Sequence, residues 1–180
     1  KGQKVAAKRS DRDASEGAIL SGINTNGTYG VVLSLNCETD FVAKNEAFIS
    51  VAQILLDLAI AEGCESKDSL LALNYPGSDE TVAEKIITET GKIGERLEIG
   101  DFQSLNGDSV TAYIHPGNRL ATIVSFSGSV DTSVGRDVAM QTAAMSPVAV
   151  NEASIPADLI EKEKAIGKDL AIQEGKPADL

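Results

Sequence analysis

The chain has 180 residues, 42% hydrophobic and 24% charged, which is long enough to bury the core of one domain or two small ones. Its net charge of −11 repels polyanions and argues against direct binding of nucleic acid. No apolar run approaches the roughly 18 residues that span a bilayer, and no signal peptide opens the chain, so we expect no membrane contact and a cytoplasmic location. The two cysteines suit a reducing compartment better than a disulfide framework.

The first part of the chain predicts a hairpin followed by a helix. Residues 3–14 are typical of the end of a helix. The runs 17–23 and 28–37 predict two strands, the second with Val31, Leu33, Leu35 and Cys37 on one face. Asn-Gly at 26–27 suits the tight turn between them. Helical spacing over 45–62 predicts a helix that Gly63 ends.

The middle of the chain predicts two further helices and a strand. The stretch "ESKDSLLAL" is typical of a short helix. A second helix is predicted over 80–90, with Ser78 or Asp79 as its N-cap and Gly91 at its end. "GERLEIGDFQ" then resumes the pattern of a strand.

The last part repeats this order. Residues 109–115 and 119–128 predict a hairpin around the turn "PGN", and helices are predicted over 133–145 and 156–175. Strand, acidic joint and amphipathic helix therefore follow one another twice along the chain. This order predicts an α+β fold of two related subdomains, each an antiparallel sheet packed with helices. The expected divisions are a lead-in helix remnant over 1–14, a first core subdomain over 15–102, and a second over 103–180 that is truncated at its C-terminal end.

Motifs of catalysis are missing from the sequence. It has no phosphate-binding loop, no G-x-G-x-x-G and no G-x-S-x-G elbow. The lone histidine, His115, has no evident nucleophile partner, and metal-ligand spacing is absent. We therefore expect no catalytic residue, no metal, no cofactor and no enzymatic activity.

The joint "NCETDFVAKN", residues 36–45, places an apolar aromatic in a polar strand-to-helix loop, where functional residues are common. Spacing alone favours a structural explanation, in which Phe41 packs back on Val42 or Phe48. Two other side chains are candidates to contact a partner. Ile93 lies between two glycines in "GKIGE", and His115 lies at a hairpin tip. Their structural alternatives are a core residue and an ordinary turn residue.

"NCETDFVAKN" closely resembles the central motif of the elongation factor Ts family, in which a strand runs into Thr-Asp-Phe-Val. The motifs "KIGE", "H-x-x-x-R", "VAMQTAAMSP" and "EGKPADL" follow in the family's order, so the resemblance covers nearly the whole chain. Relative to the family, the chain resembles a core region without the N-terminal helical domain and without the C-terminal part.

The resemblance implies a guanine-nucleotide exchange factor that binds elongation factor Tu, both GDP-bound and nucleotide-free, and supports translation elongation. It implies contact with the partner near its magnesium site through Thr39, Asp40, Phe41 and Val42, with further contacts by Ile93 and His115. It leaves open whether the protein is a homodimer. Two other classes of function stay open from the residues: a structural module whose Phe41 is a core residue, and an enzyme that uses the acidic surface.

Overall fold

The computed structural model describes residues 2–175 of the chain, so most of the motif "EGKPADL" lies outside the described residues. The predicted α+β class is confirmed, because helices pack with one three-stranded and one two-stranded antiparallel sheet. The strands are β1 (Glu16–Ile23), β2 (Tyr29–Cys37), β3 (Glu98–Asn106), β4 (Ser109–Ile114) and β5 (Ala121–Phe126). The helices are α1 (Gly2–Arg9), α2 (Asp40–Ala43), α3 (Glu46–Ala61), α4 (Lys67–Leu71), α5 (Val82–Ile93), α6 (Thr132–Met145) and α7 (Ala157–Gln173).

Contacts along the chain define two compact units, with the boundary between Ala144 and Met145 near the end of α6. The first unit holds both sheets. The second holds a single 3-10 turn over Glu152–Ser154 and then α7, which has no buried residue. The predicted division of the core at residue 102 stays a prediction. In the part of the chain that the structure describes, no helix is both long and apolar enough to cross a membrane.

The central strand of the larger sheet is β2. It pairs with β1 from Glu16 opposite Cys37 to Ile23 opposite Gly30, which confirms the predicted hairpin. On its other edge it pairs with β3, and the register shifts between Leu33 and Leu35. Because β2 has a neighbouring strand on both sides, the sheet holds its end, from which the joint continues.

One face of β2 lies in the hydrophobic core. The residues predicted to share that face are all completely buried: Val31, Leu33, Leu35 and Cys37. The helix α3 covers them with Phe48 and Leu55, each 1% exposed. Full burial of each such side chain contributes on the order of 1.5–3 kcal/mol, so this face is the main source of stability near the joint.

The β4–β5 hairpin packs across β1 and β2. The Ile19 N–H donates to Asn118 O at 2.7 Å, and the Ser21 hydroxyl donates to Tyr113 O at 3.0 Å. A Cβ atom on Gly30 would lie 2.8 Å from Val110 Cγ1, so this close approach requires glycine. The contact holds the second hairpin, including its tip, against the first sheet.

Both predicted ends of the helix α5 are wrong. Its N-cap is Thr81, whose side chain accepts from the Glu84 N–H at 3.2 Å while the Glu84 carboxylate accepts from the Thr81 N–H at 2.8 Å. This capping box makes a better start than Ser78 or Asp79. At the other end the helix continues through Gly91 to Ile93. Gly94, at φ 82°, supplies the left-handed conformation that ends it.

Candidate partner-binding site

The joint after β2 folds into one short helical turn, α2, and then α3. Thr39 is extended and its side chain accepts from the Val42 N–H, so it caps α2. Two residues after α2, the Asn45 side chain accepts from the Ala47 N–H at 2.8 Å and caps α3. Two capped starts within a few residues turn the chain sharply between strand and core helix.

Phe41 lies on α2 and is 83% exposed. The structural explanation, in which Phe41 packs back on Val42 or Phe48, is therefore wrong. Phe48 is buried in the core, and Val42 is half-buried against it. Leaving a phenylalanine in water forfeits its burial free energy, on the order of 1.5–3 kcal/mol. An exposed aromatic in a strand-to-helix loop next to the core is therefore a candidate to contact a partner.

Asp40 precedes Phe41 and is also accessible. The Lys44 ammonium lies 2.7 Å from its Oδ2, one turn along the chain. Hydrogen bonding by Lys44, with a smaller contribution from the charge of Arg119, lowers the pKa of the Asp40 carboxyl below its usual value. The side chain is thus ionised at neutral pH. Because exposed ion pairs contribute little free energy, the Asp40 carboxylate can exchange its contact with Lys44 for another contact at little cost.

Ile93 lies beside Val42. Both side chains line a surface depression of about 160 Å³, together with the α3 residues Ala47, Phe48 and Val51, and with Asn45 and Glu89. Ile93 is half-buried and packs against the core cluster. The last residue of α5 therefore borders the α2 turn, although the two are far apart in the sequence.

His115 is exposed at the tip of the β4–β5 hairpin, as the sequence predicts. The backbone N–H of His115 donates to the backbone carbonyl of Leu120 at 2.8 Å, and the ring Nδ1 lies 3.0 Å from the Tyr113 hydroxyl. Arg119, in the same tip, pairs with Glu16 at 2.6 Å and acts electrostatically on Asp40. The tip is therefore held at the end of β1 that pairs with Cys37, the residue where the joint begins.

Sequence reasoning missed the residue that connects these elements, Glu95. Its Oε2 accepts from the backbone N–H groups of Glu38 and Thr39 at 3.1 and 3.0 Å, and its Oε1 accepts from the Thr39 hydroxyl at 2.7 Å. The motif "KIGE" contained Glu95. However, no local spacing signals a partner 56 positions away. The structure brings the predicted Thr39 and Val42 together with the segment that carries Ile93.

The turn lies next to a buried cysteine, Cys37, and close to several carboxylates. Among the described residues, no group of three or more His, Cys, Asp or Glu side chains is arranged to hold a metal ion. Cys37, at the start of the joint, is free, and burial raises the pKa of its thiol to about 11. That thiol stays protonated at neutral pH. The arrangement presents an exposed aromatic side chain and an accessible carboxylate on a capped turn of an α+β fold.

Comparison with known proteins identifies the family. Residues 38–180 match the family model described as Elongation factor TS. The chain belongs to the elongation factor Ts family. The matched region begins at the joint and includes every residue predicted to contact a partner.

The similarity to curated relatives extends over nearly the whole chain. Elongation factor Ts of Flavobacterium psychrophilum is 49% identical over 179 residues, covering 98% of this chain and 64% of the relative. Elongation factor Ts of Christiangramia forsetii is 47% identical over 182 residues, covering 100% and 65%. That of Porphyromonas gingivalis is 44% identical over 181 residues, again covering 100% and 65%. The chain thus spans a little under two thirds of the length of these relatives.

Proposed function

We propose that this chain is the core of a guanine-nucleotide exchange factor that binds elongation factor Tu and promotes release of GDP. The observation that carries the proposal is Phe41, 83% exposed on a capped turn next to a packed core. Membership of the elongation factor Ts family supports it. The proposed action is non-covalent, with neither a catalytic residue nor a cofactor.

The chemistry of the bound nucleotide explains why an aromatic side chain is suitable. GDP is held by backbone contacts to its phosphates and by Mg²⁺, which requires near-octahedral oxygen coordination at short distances. A small displacement of the ligands weakens such coordination. Phe41 is large, apolar and stiff, so inserting it between elements of the partner near the magnesium site would force that displacement.

The neighbouring residues have supporting roles in this proposal. Thr39 and Val42 hold the turn, and Asp40 brings an ionised carboxylate to the region of the metal. Ile93 extends the apolar contact from the depression that it shares with Val42. His115 adds a polar contact from the hairpin tip, which has little burial of its own and which we therefore expect to matter less than Phe41.

Thermodynamic linkage then accounts for exchange. If binding of the factor weakens GDP binding, GDP weakens binding of the factor by the same ratio. The coupling must come from contacts that are better in the nucleotide-loosened state. Insertion of Phe41 is such a contact, because burying it recovers free energy that the free protein forgoes.

The test is the release rate of a fluorescent GDP from elongation factor Tu, measured over a range of concentrations of this chain. We expect acceleration by the wild type and a loss of about 10- to 100-fold in efficiency for Phe41→Ala, the equivalent of the burial free energy of one phenylalanine. A matched control is Ile23→Ala, which truncates a 42% exposed apolar side chain at the far end of β1.

Equal loss in the two variants would contradict a specific role for Phe41. If the wild type does not accelerate release at all, this chain does not by itself act as an exchange factor. GDP turnover abolished by one carboxylate substitution would instead favour an enzyme. The alternative of a structural module with Phe41 in its core already conflicts with the exposure of that side chain.

A further inference from the structure

We infer that Glu95 is a positioning residue for the exposed turn: its carboxylate holds Thr39 and thereby sets α2, with Phe41 on it, relative to Ile93. This inference deepens the proposed function and rests on it for the effect on the partner. The structural half, that Glu95 orders α2, can be tested without any partner.

The helix α2 is too short to be stable by itself. It has four residues, only one helical turn. Nucleating a single turn is unfavourable, because several backbone angles are fixed for one hydrogen bond. The turn therefore depends on groups outside itself. The contact at its start is made by Thr39, whose hydroxyl accepts from the Val42 N–H at 3.4 Å.

Glu95 sets the orientation of that hydroxyl. The Thr39 O–H donates to Glu95 Oε1 at 2.7 Å, so its proton is directed away from the turn and a lone pair is left for the Val42 N–H. Glu95 Oε2 also accepts from the backbone N–H of Thr39. One carboxylate thus fixes both the backbone and the side chain of the cap. Hydrogen bonds to an ionised acceptor are about twice as strong as neutral ones.

The brace between the two segments is reciprocal. The Glu38 carboxylate accepts from the Arg96 N–H at 2.6 Å and from the Arg9 guanidinium at 2.7 Å. Residues 38–39 and 95–96 each supply one carboxylate and receive bonds from the other segment. Such crossed contacts resist both sliding and rotation of one segment against the other, which a single bond does not.

The end of α5 connects Glu95 to Ile93. Gly94 ends the helix in the left-handed conformation, and Glu95 comes next. Because Ile93 and Glu95 are two residues apart, the hydrogen bonds that Glu95 accepts from Thr39 also fix the position of Ile93 relative to α2. The two apolar side chains proposed to contact the partner are therefore held in one arrangement by a residue that itself need not touch the partner.

The test compares Glu95→Gln with a matched control, Glu84→Gln. Glu84 makes the same kind of contacts to Thr81, accepting from its N–H and its hydroxyl, but at the opposite end of α5. Glutamine keeps the size of the side chain but has only one acceptor oxygen, because its amide nitrogen cannot accept a proton. Depending on the orientation of the amide, the variant therefore loses either the bond from the Thr39 hydroxyl or the bonds from the backbone N–H groups, without creating a cavity.

The first measurement is amide hydrogen exchange. The amides that report on α2 are those of Val42, Ala43 and Lys44, which donate within the turn or to its cap. We expect Glu95→Gln to speed their exchange about tenfold, the loss of one charge-assisted hydrogen bond. The amides of β2 should keep their protection, and Glu84→Gln should leave α2 unchanged. Unchanged exchange at α2 in Glu95→Gln would overturn the inference, as would equal acceleration throughout β2.

The second measurement is a double-mutant cycle on GDP release, combining Glu95→Gln with Phe41→Ala. If Glu95 acts through Phe41, its substitution costs about tenfold in the wild type and little when Phe41 is already removed. Costs that simply add would contradict action through Phe41. A wild type without any effect on GDP release would count against the proposed exchange function, and the hydrogen-exchange result would still decide whether Glu95 orders the turn.

Discussion

Two phenylalanines on neighbouring helices have opposite environments. Phe48 on α3 is 1% exposed and belongs to the core, whereas Phe41 on α2 is 83% exposed. Phe48 is part of a helical repeat of apolar residues that faces the buried side of β2. Phe41 is held outward by a capped turn that is itself braced from a distant segment. The difference shows that, within this region, one phenylalanine stabilises the core and the other lies on the surface in contact with solvent.

Truncating each ring tests this difference between Phe48 and Phe41 most directly. We expect Phe48→Ala to lower the free energy of unfolding by about 3–5 kcal/mol, because it removes buried surface and leaves a cavity. Phe41→Ala should change it by less than about 0.5 kcal/mol. Chemical denaturation followed by circular dichroism measures both. Similar losses at the two positions would show that Phe41 also supports the fold.

A smaller effect is expected at the cap before the exposed ring. Thr39→Ala should cost about 1–2 kcal/mol of unfolding free energy, since it removes an N-cap and leaves the Glu95 carboxylate with one hydrogen bond fewer. Thr39→Ser is the matched control, because it keeps the hydroxyl. We expect it to recover most of the loss in the same denaturation experiment. Equal losses in both variants would assign the effect to the missing methyl group.

The smallest effect depends on pH. The pKa of the Glu38 carboxyl is lowered in the folded protein, mainly by the hydrogen bond from the Arg96 backbone N–H. The hydrogen bond and charge of the Arg9 guanidinium lower it further. The resulting stabilisation is present above the unfolded-state pKa of about 4.3 and is lost as the pH falls through the lower folded-state pKa. Wild type should therefore be more stable than Glu38→Gln near pH 7, and the difference should shrink below about pH 4. Denaturation curves at several pH values check this, and a difference independent of pH would contradict it.

The sequence predicted most of the elements because their signals are local. Apolar runs on either side of an Asn-Gly turn identified β1 and β2, and helical spacing identified α3 with its core residues Phe48 and Leu55. The α5 boundaries failed for a local reason as well. The capping box of Thr81 and Glu84 in "TVAE" is a stronger start signal than Ser78 or Asp79, and Gly94 rather than Gly91 ends the helix.

The site was less predictable, because its geometry depends on long-range contacts. Family resemblance singled out Thr39, Asp40, Phe41, Val42, Ile93 and His115, whose roles stay proposals. Spacing alone favoured packing of Phe41 into the core. Nothing local could reveal that Glu95 bonds to Thr39, because the two are 56 positions apart. That brace is a product of the folded sheet, which brings the end of β2 and the start of β3 together.

The 56 positions between Thr39 and Glu95 also affect the order in which the site can form during synthesis. Thr39 leaves the ribosome long before Glu95, and closing a loop of this size costs entropy that only later contacts repay. During synthesis the one-turn helix therefore has no support from Glu95 until α5 has formed and β3 has paired with β2. The exposed ring of Phe41 is set in its final arrangement only once the core beneath it exists. An unfinished chain therefore lacks the ordered surface around Phe41 that the folded protein has.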